Sequence, residues 1–236
     1  MADYLMIRAQ DVDRVMISDR YKNLELRAKG TVTLDTPLSG STSTSCVTGT
    51  VTFAGGVNPV IAVAGGKCGM LSLTVSGSTF TFTLVADVAR TVTYYVFDEP
   101  VASASNYGLV VRNAAGEITF DALKKYMRVV ATISGEPTDS TPLSVPTPAG
   151  RTCAIVLGYS GSNLTIIGGL IGGGPTWLVT VNNSLAMAEI SGATAIASRE
   201  RLYYFQTGGN NGMPTPDRGV WGTLGVNYLV IDVTNY

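Results

Sequence analysis

The reactive side chains of this sequence are few, and one type is missing. There is no histidine among the 236 residues. That removes Ser-His-Asp and Cys-His catalysis, histidine-ligated zinc and the commonest general base at neutral pH. A Ser-Lys site needs a lysine held beside the serine, yet the lysines are scattered and only Lys124 and Lys125 adjoin. Cys46, Cys68 and Cys153 are odd in number, far apart and without C-x-x-C spacing, which reads as three buried thiols rather than a zinc or redox site. Carboxylates remain. A glycosidase needs two of them a few ångströms apart. Asp98 and Glu99 are neighbours, but neighbours on a strand point to opposite faces. Asp87, Glu117, Asp121 or Asp232 could approach them in space, although with seventeen acids some pair always looks plausible. Polysaccharide hydrolysis is therefore a third-ranked reading. The leading expectation is a chain that is not an enzyme and holds no metal or cofactor.

Two glycine-rich runs suggest phosphate binding only superficially. IIGGLIGGGP, residues 166–175, lacks the GK[ST] of a P-loop, and AGGKCGM, residues 64–70, has the wrong spacing with no helix after it. Glycine removes bulk, so Gly168, Gly169, Gly172, Gly173 and Gly174 are candidates for close packing against a partner subunit. A second candidate surface is the loop at 208–219, GGNNGMPTPDRG. Asn210, Asn211, Met213, Asp217 and Arg218, with Trp221 behind them, are candidate receptor contacts, because binding residues concentrate on loops held by a rigid scaffold. Aromatics also gather at Tyr94-Tyr95 with Phe97 and at Tyr203-Tyr204-Phe205. In a period-two strand Tyr203 and Phe205 share one face, so one face of that strand is expected to be core.

The elements that must carry these residues read as strands. Alternation is clearest over 71–84, where Leu71, Leu73 and Val75, then Phe80, Phe82 and Leu84, alternate with Ser and Thr around a break at Ser76-Gly77-Ser78. This is the pattern of a hairpin with one apolar face. Further strands are expected at 91–97, 128–133, 152–157, 177–181, 202–206 and 226–233. Helical periodicity is nearly absent; the two candidates are a turn at 120–125 and a weak pattern at 185–197 that Gly192 interrupts. Residues 134–150 hold Pro137, Pro142, Pro146 and Pro148 among Ser and Thr, which marks a linker or an extended edge. The chain is thus expected to be all-β: an antiparallel β-sandwich over 1–133, a linker over 134–150 and a smaller β module over 151–236. A faint echo links Leu5-Met6-Ile7-Arg8 and Val15-Met16-Ile17 with Leu109-Val110-Val111-Arg112 and Ile118-Thr119-Phe120, as two related hairpins.

Composition limits the partners. Charged residues are 14% of the chain, against roughly 25% in an average soluble domain, and mean hydropathy is positive. Too little charge to cover a monomer points to surface hidden against other subunits. A membrane span is not expected, since the most apolar run, 164–181, is broken by six glycines and prolines together. Residues 1–10 lack the pattern of a signal peptide, so synthesis in the cytoplasm is expected. Net charge is −1 with no basic stripe, and no nucleic-acid partner is expected.

Ile17-Ser18-Asp19-Arg20-Tyr21-Lys22-Asn23-Leu24, with Leu26 and Lys29-Gly30, resembles the N-terminal signature of small proteins encoded in the tail-gene clusters of long-tailed bacteriophages. Tyr94-Tyr95-Val96-Phe97-Asp98, Tyr107-Gly108-Leu109-Val110-Val111, Asn113, Gly116-Glu117-Ile118 and Phe120-Asp121 are similar to the same family. The resemblance covers residues 1–133. It implies a virion protein at the tail tip, baseplate or tail fibre, with other tail proteins as partners. From it follow the expectations of a homotrimer and of an N-terminal docking element that includes Ile7, Arg8, Ile17, Asp19, Tyr21 and Leu24. Recognition of host polysaccharide or pili is the alternative role.

Overall fold

The computed structural model describes residues 6–8, 15–18, 22–38, 45–101, 108–138, 140–158, 162–170, 177–209 and 219–236, with the backbone alone at 6–8, 15–18, 168–170, 177 and 219–221. Among the described residues every regular element is a strand, so the chain is all-β. In chain order the strands are β1 (Met6–Arg8), β2 (Val15–Ser18), β3 (Glu25–Leu34), β4 (Thr36–Pro37), β5 (Val47–Ala54), β6 (Val60–Ala64), β7 (Gly69–Ser76), β8 (Thr79–Ala86), β9 (Arg90–Asp98) and β10 (Val110–Arg112). They continue as β11 (Ile118–Asp121), β12 (Val129–Gly135), β13 (Leu143–Pro146), β14 (Cys153–Val156), β15 (Ser162–Leu170), β16 (Trp177–Ser191), β17 (Thr194–Gly209), β18 (Gly219–Trp221) and β19 (Val226–Asp232).

One layer is a six-stranded antiparallel sheet in the order β12-β19-β14-β6-β9-β3. The opposing layer is made of two sheets, β4-β5-β8-β7 and β13-β17-β16-β15-β18. They are stitched at one place, where Cys68 and Ala188 exchange backbone hydrogen bonds of 3.0 and 2.8 Å. Between the layers lies the main core. Ile61, Val96, Ile155 and Tyr228 face Phe80, Phe82 and Leu84 of β8 and the small side chains Ala186, Ala188, Ala195 and Ala197. Those alanines let the long hairpin approach closely, and the buried Tyr228 hydroxyl donates to the Ala186 carbonyl at 2.9 Å. The centre of the six-stranded sheet is buried on its other face too, by a cluster of Ala62, Tyr95, Phe97, Ala154, Val156, Ile231 and Val233. That explains why CAIV and VIAVA are unbroken apolar runs: a strand covered on both faces has no reason to alternate.

Two expectations change. The stretch 134–150 does not separate two modules, because β14 and β19 lie inside the six-stranded sheet between β12 and β6. Within that stretch, Leu143–Pro146 forms β13, paired with β17 at the edge of its sheet. An edge strand tolerates a proline that donates no ladder hydrogen bond. Residues 185–197 are not helical but form the β16–β17 hairpin, in which Gly192 sits at φ +58° as the first central residue of a two-residue turn requires. The hairpin at 71–84 has the expected register around Gly77, with Val75 opposite Phe80 and Leu73 opposite Phe82. The two echoed hairpins also form, as β1–β2 and β10–β11, each with a register shift one residue before its arginine. The three cysteines are buried free thiols.

Candidate functional site: a sheet face that outruns its cover

The β16–β17 hairpin is 15 and 16 residues long, several times the usual strand. At roughly 3.3 Å per residue it extends about 50 Å. Its half nearest the turn belongs to the sandwich. The other half leaves it, and the departure is marked by a bulge: Asn183 pairs with Tyr203 and Ser184 with Arg201, so Leu202 is the extra residue. A bulge bends and twists the strand that carries it. Leu202 is buried in a satellite cluster with Cys46, Val85, Leu185 and Met187, and the Cys46 thiol donates to the Arg201 carbonyl at 3.4 Å. Lys67 braces the same junction, 2.6 Å from Glu200 and 3.7 Å from Asp87. Burial disfavours its charge, but the Glu200 hydrogen bond and the charges of Glu200, Asp87 and Glu189 outweigh that, so its pKa lies above the ordinary lysine value.

Beyond the bulge the hairpin is flanked by β15 and β18, giving a projecting sheet. Register assigns its faces. Ile166 lies opposite Val181, and Val181 opposite Phe205. Leu164 lies opposite Asn183, Asn183 opposite Tyr203, and on the far side Leu164 lies opposite Trp221. These positions share one face, which is mostly apolar, with Asn183 and, opposite Val179, Thr207 as its polar members. On the reverse face Thr165, Asn182 and Tyr204 form one row and Ile167, Thr180 and Gln206 the next. There the Gln206 amide donates to the Thr180 hydroxyl at 3.1 Å.

The apolar face continues a stripe along β16, since Val179, Val181, Leu185 and Met187 fall on alternate positions with Asn183 between the two pairs. Leu185 and Met187 are covered by the satellite cluster. Farther out Val181, Ile166 and Tyr203 are only half-buried, while Leu164 and Phe205 are 37% and 39% exposed. Val179 is buried, yet none of these outer residues belongs to a buried hydrophobic cluster of the described residues. The expectation that one face of 202–206 is core therefore holds only at Leu202, because beyond the bulge the strand leaves the body of the sandwich. β13 pairs only with residues 194–197 of β17, which leaves the outer edge of 201–209 without a neighbouring strand among the described residues.

This sheet brings together parts of two candidate surfaces. Gly168 and Gly169 lie in β15 opposite Val179 and Leu178, and Trp221 lies in β18 beside the same strand. Gly222 follows at φ +84°, where a side chain would collide with the Ser162 carbonyl, so a glycine is required to seat β18. Gly172, Gly173, Gly174, Asn210, Asn211, Met213, Asp217 and Arg218 fall outside the described residues. Of the candidate docking residues, Ile7, Arg8 and Ile17 lie in the β1–β2 hairpin, with Ile7 opposite Ile17; Asp19 and Tyr21 fall outside the described residues. Leu24 packs against the second core cluster and is part of the body rather than a free arm.

The acids hold turns and edges. Asp98 is fully buried and accepts from the amides of Val57, Asn58 and Glu99 at 2.8–2.9 Å. Glu99 binds Lys22 at 2.8 Å, and Glu25, 4% exposed, binds Lys124 at 2.9 Å. Asp232 faces Arg128 and Arg151. Burial alone would raise its pKa, but the Thr234 hydrogen bonds and the two arginines bring it below the ordinary carboxylate value. No family model, curated protein or solved structure matches the chain.

Proposed function

We propose that this chain is a structural, non-catalytic subunit of the distal tail of a long-tailed bacteriophage, and that it assembles with further copies of itself, as a homotrimer, and with other tail proteins. The observation that carries the reading is the apolar face of the projecting sheet, covered at Leu185 and Met187 but half-buried at Val181 and Ile166 and exposed at Leu164 and Phe205, beside a strand edge left unpaired among the described residues. A four-stranded sheet with one apolar face needs a second layer, and an open edge invites another strand. A copy of the same chain supplies both, and symmetric self-association is the commonest way soluble chains satisfy such a surface. The low charge content fits the same account.

Placement in a phage tail draws its support from the family resemblance. Its two blocks are adjacent in the fold: β3 pairs with β9 so that Glu25 lies opposite Asp98, and Lys22 reaches both Glu99 and Glu117. The test is to purify virions from a host carrying this gene and identify their proteins by mass spectrometry. The chain is expected in the particles; particles that lack it refute the placement.

A further inference from the structure

A surface cavity of about 490 Å³ lies between the segment 124–128 and the turn 234–236. Its size is within the range of roughly 300–1,000 Å³ of small-molecule sites. The residues lining it include Lys124, Lys125 and Arg128 but no Asp or Glu. Phe120 and Tyr126 stack on each other there, with centroids 5.0 Å apart. The Tyr236 ring is flanked by the Arg128 guanidinium at 5.0 Å and the Lys125 ammonium at 5.6 Å.

The turn is held rigidly. Arg128 donates to the Thr234 carbonyl at 3.1 Å, Lys125 to that of Asn235, and Lys29 to that of Tyr236 at 2.7 Å. Asn235 is the one described non-glycine residue with left-handed backbone, at φ 67°. Residues kept in that region by their surroundings cluster at binding sites. Each cation uses only part of its donor capacity on a carbonyl, since lysine has three N–H donors and arginine five. Lys124 is matched by Glu25 and Arg128 in part by Asp232 at 3.5 Å. Lys125 has no Asp or Glu partner among the described residues.

We propose that this cavity binds an acidic sugar, a pyranose bearing a carboxylate or phosphate. The anion pairs with Lys125 and Arg128, the non-planar sugar ring lies against the edges of Tyr126 and Tyr236 rather than on their occupied faces, and Asn23, Thr234 and Asn235 meet the hydroxyls. A nucleotide base fits less well. Phe120 and Tyr126 already stack on each other, and the cations flank Tyr236, so a planar base would have to displace one of them. The proposal does not depend on the chain being a tail subunit or on its oligomeric state.

The experiment uses the full chain and four probes: methyl β-glucuronide, glucose 6-phosphate, methyl β-glucoside and AMP. Amide chemical-shift mapping is expected to show millimolar binding of one or both acidic sugars, on the order of Kd 1 mM, with shifts at 23, 124–128 and 234–236. The carboxylate and phosphate arms decide which anion is preferred. Arg128→Gln and Lys125→Gln are each expected to weaken binding about tenfold. Because both side chains brace the turn, the wild-type map stands as the decisive reading if a variant unfolds. Binding of the neutral glucoside with equal affinity, tighter binding of AMP, shifts outside the cavity, or no binding by either acidic sugar would each overturn the proposal.

Discussion

The register of the projecting sheet makes a face-specific prediction. Phe205 and Ile167 are both exposed, at 39% and 63%, but they lie on opposite faces. Fully burying a phenylalanine or leucine is worth about 1.5–3 kcal/mol, so the exposed share of Phe205 is worth roughly 0.6–1.2 kcal/mol when a second copy covers it. Phe205→Glu forfeits that and places a carboxylate in the interface, where desolvation costs several kcal/mol. The combined loss is at least about 3 kcal/mol, or roughly a hundredfold in the association constant. Light scattering behind size exclusion, over a wide concentration range, is the assay. The wild-type chain is expected near three times its 24.7 kDa subunit mass, Phe205→Glu near one, and Ile167→Glu unchanged from wild type. A monomeric wild type, or an equal response to the two glutamates, refutes the assignment of the apolar face as the interface.

The other predictions concern the body of the sandwich. Tyr228→Phe leaves the buried Ala186 carbonyl without its donor and is expected to lower stability by about 1–3 kcal/mol in urea unfolding. The Cys68 thiol, which burial pushes up to about 12, should not react with a thiol reagent at pH 8 in the native chain, and neither should the buried Cys46 and Cys153; all three should react once urea unfolds it. Asp232 has a folded pKa below its ordinary value, so its contribution to stability is complete above the unfolded carboxylate pKa of about 3.9 and lost as pH falls through the folded value. Asp232→Asn should therefore cost about 1–3 kcal/mol near pH 7, a deficit that shrinks under acid; a deficit independent of pH would show that charge plays no part.

Most strands were legible because their residues alternate or form short apolar runs, as at 71–84, 91–97 and 226–233. The echoed hairpins were legible from a repeated Val/Ile pattern that ends at an arginine. What the sequence hid was long-range order. Nothing local to Cys153–Val156 says that it inserts between β6 and β19, because neighbours in a sheet are chosen by the whole core and not by the strand itself. The proline-rich stretch misled for a related reason: prolines mark an edge as readily as a linker. At the projecting sheet, Trp221 and the glycine run were legible as unusual residues, but their pairing was not. The stripe at Val179, Val181, Leu185 and Met187 carried a signal, the period of two, that the interruption at Asn182-Asn183-Ser184 obscured. The cavity at 124–128 and 234–236 joins segments about a hundred residues apart, and its only local sign was the lysine pair.

The insertion of β14 and β19 into the middle of the six-stranded sheet also sets the order of events during synthesis. β6 and β12 cannot be joined until residues 226–232 have left the ribosome, so the nascent chain carries an open seam between them from the synthesis of β12 until β19 emerges. Dependence on such distant pairing slows folding and prolongs exposure of unpaired edges. A stalled or clipped chain lacking β19 is therefore not a smaller native domain but a sheet with β12 detached and the β14 edge open, and the cell should treat it as a substrate for chaperones and proteases.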